Sequence, residues 1–162
     1  MMKELRYIKL DQPGNSDWDL VAGLFDGMYS DMDKMGLMIP LSPGGAEKWL
    51  NTAKNTAGRF GIVVLVKDGD RAIGFAQGML KFLPDYLGGL AVGSVTHVYV
   101  DNGARRSGIG ETLIGMLEEW FREKKVQSIE LQVIAGNAAA KEFWKKLGYL
   151  HELEQYRKIC DK

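Results

Sequence analysis

Hydrophobic positions along the chain change period several times, and each change marks an element. "ELRYIKL" reads as a short strand closed by the turn at Pro13-Gly14. Apolar residues then fall at Trp18, Val21, Ala22, Phe25, Met28, Tyr29 and Met32. Steps of three and four place them on one helix face, with Ser16 or Asp17 positioned as cap. "KMGLMIPL" breaks the pattern, and Ser42-Pro43 signals a second helix with the stripe Ala46, Trp49, Leu50 and Ala53, stopped by Gly58. The period then shortens. "RFGIVVLV" and "AIGFAQGMLKFL" flank "KDGDR", whose Asp68-Gly69 is a hairpin signal, and after the "PDYLGG" loop "AVGSVTHVYV" is a further β-rich run.

Helical spacing returns from about Ile109 to Lys124, with Leu113, Ile114, Leu117, Trp120 and Phe121 on one face. "SIELQVI" reads as a strand. "NAAAKEFWKKLGY" reads as a helix capped by Asn137 and stopped by Gly148. "HELEQYRKIC" is expected to close the sheet as a final strand. The order β-α-α-β-β-β-α-β-α-β predicts a mixed sheet with helices on both faces and its parallel part in the second half.

Composition narrows the classes. With 162 residues the chain fits one domain, 1–162, and can bury a sizeable core. Lys plus Arg and Asp plus Glu both total 21, so no bulk field draws the protein to nucleic acid or to a membrane, and phosphate binding must come from local arrangement. The single cysteine, Cys160, has no partner for an internal disulfide, which fits a reducing cytoplasm. No apolar run approaches the roughly 20 residues that span a bilayer.

The informative stretch is "NGARRSGIGETL", a basic glycine-rich turn between a strand and a helix. Gly103 and Gly108 have the spacing of a nucleotide-triphosphate loop, but Ile109-Gly110 stands where Lys-Ser/Thr is needed. Gly108-Ile109-Gly110 opens a dinucleotide fingerprint, but Leu113 occupies the third glycine position. Arg105, Gly108 and Gly110 remain, as R-x-x-G-x-G. Glycines let backbone approach a ligand, the first helical amides face outward, and Arg105 and Arg106 carry guanidinium forks. Such a turn suits a pyrophosphate without a metal; read without a ligand, it is a strand-to-helix turn with solvated arginines.

From Val100 to Gly110 the chain carries V-x-x-x-x-R-x-x-G-x-G. Downstream stand Asn137, Ala140, Phe143, Trp144, Gly148 and Tyr149 in the pattern N-x-x-A-x-x-F-[YW]-x-x-x-G-[FY]. In these motifs the sequence resembles the GNAT superfamily of acyl-CoA N-acyltransferases, over about Phe60 to Tyr149. The resemblance implies an α+β three-layer fold: a mixed, mostly antiparallel central sheet of about six to seven strands flanked by about four helices. It implies acetyl-CoA as co-substrate, with no metal, and direct attack of an amine on the thioester. It further implies that the backbone of Val98 and Val100 pairs with the pantetheine arm. The amides of Arg106, Ser107, Gly108, Ile109, Gly110 and Glu111 would then cradle the pyrophosphate beside Arg105. Asn137 would contact the pantetheine, and Phe143 and Trp144 would border the thiol. Read without a cofactor, Asn137 is a helix cap, and Phe143 and Trp144 lie on the buried stripe of their helix.

Two positions depart from the family pattern. Trp144 stands where many relatives carry a tyrosine whose phenol protonates the leaving thiolate; indole cannot, and Tyr149 occupies the usual packing position. Some relatives place a carboxylate just before the equivalent of Val98, whereas this chain has Thr96 and His97. An ordinary histidine pKa of about 6.5 makes His97 the candidate base, against a reading as a histidine satisfied within the sheet. Glu130 and Gln132 are further candidates, and His151 reads as a surface residue.

The acceptor is expected to be a small-molecule amine or a peptide N-terminus, held between the first two helices and the sheet. Asp26, Asp31 and Asp33 would attract an ammonium, while Tyr29, Met35, Met38 and Tyr86 would supply apolar walls. The donor acyl group is acetyl or longer. A non-catalytic acyl-CoA-binding sensor and a nucleotide-binding regulator are the competing classes, and the resemblance also carries the expectation of a homodimer.

Overall fold

A computed structural model describes residues 4–160. The elements run β1 (Leu5–Leu10), α1 (Trp18–Lys34), α2 (Gly45–Thr56), β2 (Gly61–Asp68), β3 (Arg71–Phe82), β4 (Ala91–Val100), α3 (Ile109–Glu123), β5 (Ser128–Leu131) and α4 (Ala138–Lys146). The strands lie in chain order, β1-β2-β3-β4-β5. The first three pairings are antiparallel, and only β4 with β5 is parallel. This is the α+β three-layer arrangement, with a mixed, mostly antiparallel sheet between two helix layers.

β2 shows why the sheet is covered twice. Ile62, Val64 and Val66 face one core with Leu113, Leu117, Phe121 and Trp144 of α3 and α4. Val63 and Leu65 face the other with Trp18, Val21, Phe25 and Leu50 of α1 and α2. A strand buried on both faces needs apolar side chains at every position, which is the continuous run "GIVVLV". On the α3 side the Phe121 ring lies over the backbone of Gly78 and Gly93, filling space no side chain there occupies.

Several boundaries differ from the sequence reading. Asp17 sits at the α1 N-cap, but its carboxylate pairs with Lys67 Nζ at 3.1 Å instead of capping, while Asn15 Oδ1 accepts from the Asp17 amide. α2 starts at Gly45, after a turn closed by Gly45 N and Ser42 O, so Pro43 precedes the helix instead of opening it. β5 stops at Leu131 and does not extend to Ile134.

The larger correction is the final strand. Residues 151–160 form no strand, and the sheet has five strands among the described residues, not six to seven. Leu150, Leu153, Tyr156 and Ile159 recur every third residue, so at strand period they divide between both faces and offer no single buried face to set a register.

The double core sets a stability expectation. Phe121→Ala removes a ring that is fully buried and should lower unfolding free energy in urea by about 3–5 kcal/mol. Phe82→Ala, at an exposed position, should change it by less than about 0.5 kcal/mol.

Candidate active site

The site begins with one extra residue in β4. Gln77 pairs with His97 and the next residue of β3, Gly78, pairs with Val95, so Thr96 is a bulge. The bulge resets side-chain alternation. Val95, Val98 and Val100 all pack toward α3, while Tyr99 packs toward α1. β5 pairs with β4 only from Val92 to Val95, so beyond the bulge β4 keeps β3 on one side and, among the described residues, has no strand on the other.

The hydrogen-bond phase then decides which groups line that open side. Asp101 N donates to Ile73 O at 2.8 Å. Antiparallel bonding alternates by residue, so Tyr99 and His97 also bond toward β3, and the main-chain groups of Val98 and Val100 point into the gap. Of these, Val100 O already accepts from Arg105 Nε at 2.7 Å.

Past Val100 the chain makes a short turn at Asn102–Ala104 and reaches α3 through two left-handed residues, Arg106 (φ 63°) and Gly108 (φ 82°). An arginine rarely adopts that region, and Ser107 Oγ, donating to Ala104 O at 2.6 Å, helps hold the turn. Gly110 serves a different need: a Cβ there would lie 3.3 Å from the Phe143 ring, so the start of α3 packs tightly on α4. The first amide paired within α3 is Thr112 N, to Gly108 O. The amides of Ile109, Gly110 and Glu111 therefore lack intrahelical partners, and no side chain caps the helix. Those of Arg106, Ser107 and Gly108 close no turn among the described residues. Six consecutive donors at the positive end of a helix form an anion cradle.

Arg105 takes a position the sequence did not suggest. Besides Val100 O, its guanidinium holds Asp31 of α1 through Nη2 at 2.8 Å and stacks over Tyr99 with its carbon 5.6 Å from the ring centre. It fastens the loop to α1, whereas Arg106 stays exposed. Asn137 caps α4, its Oδ1 accepting from Ala140 N at 3.0 Å. Phe143 and Trp144 meet edge to face, Trp144 meets Tyr149 in the same way, and Trp144 is buried. The Tyr149 phenol donates to Glu118 Oε1 at 3.1 Å, and burial, then that carboxylate, hold its pKa above the ordinary tyrosine value. The Glu111 carboxylate pairs with Lys146 at 2.8 Å. Glu130 pairs with Lys81 and Gln132 donates to Gln155, and among the described residues neither hydrogen-bonds His97.

His97 packs against the stacked rings of Phe25 and Trp49, its ring centre 5.2 and 5.7 Å from theirs. Its Nδ1 lies 2.9 Å from Gln77 Oε1 and 3.0 Å from Thr96 Oγ1. The tautomer follows from the indole. Trp49 Nε1 can only donate, and it faces Gln77 Oε1 at 3.1 Å, which fixes that atom as the amide oxygen. Thr96 donates to the same oxygen at 2.7 Å. An unprotonated Nδ1 would oppose two lone pairs, so Nδ1 carries the proton and Nε2 keeps the free lone pair. Burial pushes the His97 pKa down to about 4, so the ordinary titration near 6.5 expected from sequence does not hold. From sequence Trp49 reads only as part of the buried stripe of the second helix, and Gln77 is not singled out; its one available signal is a lone amide inside the apolar run "AIGFAQGML".

On the α1 side, a cleft of about 250 Å³ is lined by Asp26, Tyr29, Ser30, Asp33, Leu37, Pro40 and Leu41. Tyr29 contacts Phe25 at 5.1 Å, linking the cleft to the aromatic surroundings of His97. Asp31 is spent on Arg105, and Met38 and Tyr86 are exposed away from this lining. Among the described residues no helix is long and apolar enough to cross a membrane.

A family model described as "Acetyltransferase (GNAT) family" matches residues 28–149. A search of curated proteins gave no match. Among solved structures, aminoglycoside N-acetyltransferase AAC(6')-Iy in complex with CoA is similar at 14% identity and a TM-score of 0.76, over 97% of this chain and 96% of that one. An aminoglycoside acetyltransferase from an uncultured soil metagenomic sample, in complex with sisomicin, shares 16% identity over 97% of each chain at a TM-score of 0.71. Ribosomal-protein-alanine N-acetyltransferase from Brucella melitensis biovar Abortus 2308 shares 16% over 98% of this chain and 100% of that one, at 0.70. At such identities these likenesses establish the fold. The family match spans most of the chain and includes the bulged strand, the amide cradle and the capped α4, and on that ground the protein belongs to the acetyltransferase (GNAT) family.

Proposed function

We propose that this protein is an N-acetyltransferase that moves an acetyl group from acetyl-CoA to a primary amine by direct attack on the thioester. The observation that carries the reading is the continuity of the open β4 edge at Val98 and Val100 with six amides, from Arg106 to Glu111, that have no backbone partner among the described residues. One supplies a backbone ladder for an extended amide-bearing arm, and the other supplies an anion cradle at its end. CoA-bound and sisomicin-bound relatives of the same fold favour this donor and an amine acceptor.

Acetyl-CoA supplies the activated acyl group. This chain's residues would bind and orient it: Val98 and Val100 through their main chain, Arg106 to Glu111 through amides, and Asn137 through the side-chain N–H groups its capping bond leaves unused. The Val98 N–H is the candidate donor to the carbonyl oxygen. His97 would accept a proton from the amine at Nε2, directly or through water, with Nδ1 held by Gln77 and Thr96. A histidine with a pKa near 4 is neutral across the physiological range, so its lone pair is always available, while the supply of unprotonated amine sets the pH response. Trp144 offers no acidic proton and the Tyr149 phenol is committed to Glu118, so the thiolate would be protonated by solvent. That same lack of an acid favours a second reading, a non-catalytic acyl-CoA sensor.

Thiol release from acetyl-CoA across a panel of primary amines tests the enzyme reading; binding of CoA with no turnover on any amine supports the sensor. Calorimetry should show CoA and acetyl-CoA binding, and tight ATP binding without CoA binding would sink both. Arg106→Ala should weaken CoA about three- to tenfold at low salt and less at high salt. His97→Ala should lower kcat about 10²-fold. The wild-type rate should rise with pH toward the amine's own pKa, without an inflection near 6.5 and with an acid limb near 4. Unchanged turnover in His97→Ala removes it as base.

A further inference from the structure

The Gln77 amide is the junction of the polar group around His97, and most of that group would accept it either way round. Its oxygen meets Trp49 Nε1 at 3.1 Å, Thr96 Oγ1 at 2.7 Å and His97 Nδ1 at 2.9 Å. Two of those partners carry no preference. A hydroxyl donates or accepts by rotation, and a neutral imidazole does either by choice of tautomer. With the amide turned over, its nitrogen would donate to Thr96 Oγ1 and to a bare His97 Nδ1. Thr96 would donate instead to the Gln77 main-chain oxygen, which already lies 3.4 Å away. Over these three residues the inverted group is as well paired as the observed one. It moves the imidazole proton to Nε2, which then has no lone pair to offer.

Two other partners do discriminate, because each has a single capability. The indole N–H of Trp49 only donates, so it requires the oxygen. Met79 Sδ only accepts, and it lies 3.7 Å from Gln77 Nε2, on the side where the observed orientation puts the amide hydrogens. A thioether is a weak acceptor, so the indole carries most of the preference. Inversion would set N–H against N–H at a buried amide, leaving a donor unpaired where no water replaces its partner. Nor can the indole swing away. It stacks on Phe25 at 4.2 Å with 13° between the planes, and it meets Phe75 at 5.6 Å.

We propose that Trp49 is a positioning residue: its indole N–H, acting from α2 through Gln77, sets the polarity of the Gln77–Thr96–His97 group and so leaves the His97 lone pair at Nε2. Charged groups take no part. The side chains against His97 are Phe25 of α1, Trp49 of α2, Gln77 of β3 and Thr96 of β4, and no ion pair reaches it among the described residues. The consequence for turnover rests on the reading of His97 as base, whereas the tautomer itself does not.

Nitrogen NMR of isotope-labelled protein separates the two, because a ring nitrogen that carries a proton resonates far from a bare one. The chain has two histidines, so in His151→Ala, a change at an exposed position, only His97 is seen. At neutral pH, where His97 is uncharged, the proton should sit on Nδ1 and Nε2 should be bare. Trp49→Phe keeps a ring on Phe25 and removes the donor, so the Nε2–H tautomer should appear as a second population. In the same variant kcat should fall about three- to tenfold, as the competent fraction falls, with KM for acetyl-CoA unchanged. Site-specific replacement of Trp49 by benzothienylalanine, which has the indole shape with sulfur in place of N–H, should act alike and guards against a packing effect. A proton found on Nε2 before any change at Trp49 overturns the proposal. So does a proton that stays on Nδ1 in both folded variants, whatever happens to kcat. A tautomer that moves while kcat holds supports the assignment to Trp49 and removes His97 as the base.

Discussion

The inserted residue Thr96 is the constraint on which the site depends. Without it, side-chain alternation would place Val98 and Val100 on the face opposite Val95, and His97 would point toward α3. With it, three valines seal one core while His97 and Tyr99 turn to the other. The same insertion bends β4 at the point where β5 stops pairing, so the gap and the histidine are consequences of a single irregularity. The bulge is in turn held by Gln77, whose oxygen collects Trp49, Thr96 and His97. A buried amide with three donors on one oxygen is well satisfied, which is what allows a polar bulge inside an apolar sheet.

Arg105 illustrates how a motif residue can be legible in position and not in action. From sequence its guanidinium is a fork for phosphate. In the fold the side chain turns back to Val100 O and across to Asp31. The pair is partly exposed, so its electrostatic worth is modest. Its geometric effect is larger, because it ties the first helix to the end of β4 and fixes where the left-handed residue Arg106 presents its amide. Phosphate affinity at such a loop resides mainly in backbone donors, which no side-chain inventory reveals.

The same distinction separates what was readable in the chain from what was not. β4 from Ala91 to Val100, α3 from Ile109 and the Asn137 cap were legible because each rests on local chemistry: β-branched runs, a glycine at a positive φ, an Asx side chain before a helix. The paired motifs also located the amide cradle and the adjoining strand. What was hidden depends on partners distant in sequence. Asp17 meets Lys67 instead of capping, Gln77 meets Trp49 and Thr96, and the pKa of His97 is set by rings from α1 and α2. The expected last strand failed for a related reason: extended propensity is local, whereas a strand exists only where another edge receives it.

The acidic cleft and the histidine then divide one task in the proposed reaction. An alkylamine with a pKa of about 10 costs about 4 kcal/mol to present in neutral form at pH 7. Asp26 and Asp33, which carry no ion pair among the described residues, favour the ammonium and so add to that cost wherever they hold it. Capture and deprotonation are therefore opposed if they share one place. Separation by Phe25 and Tyr29 resolves the conflict: carboxylates concentrate the cation at the cleft, while the aromatic surroundings of His97 disfavour any charge. Burial that makes His97 a weaker base also keeps it from becoming a second cation beside the incoming amine. In this arrangement the desolvated site contributes by destabilising ammonium relative to amine, and the lone pair of Nε2 receives a proton already made easier to lose.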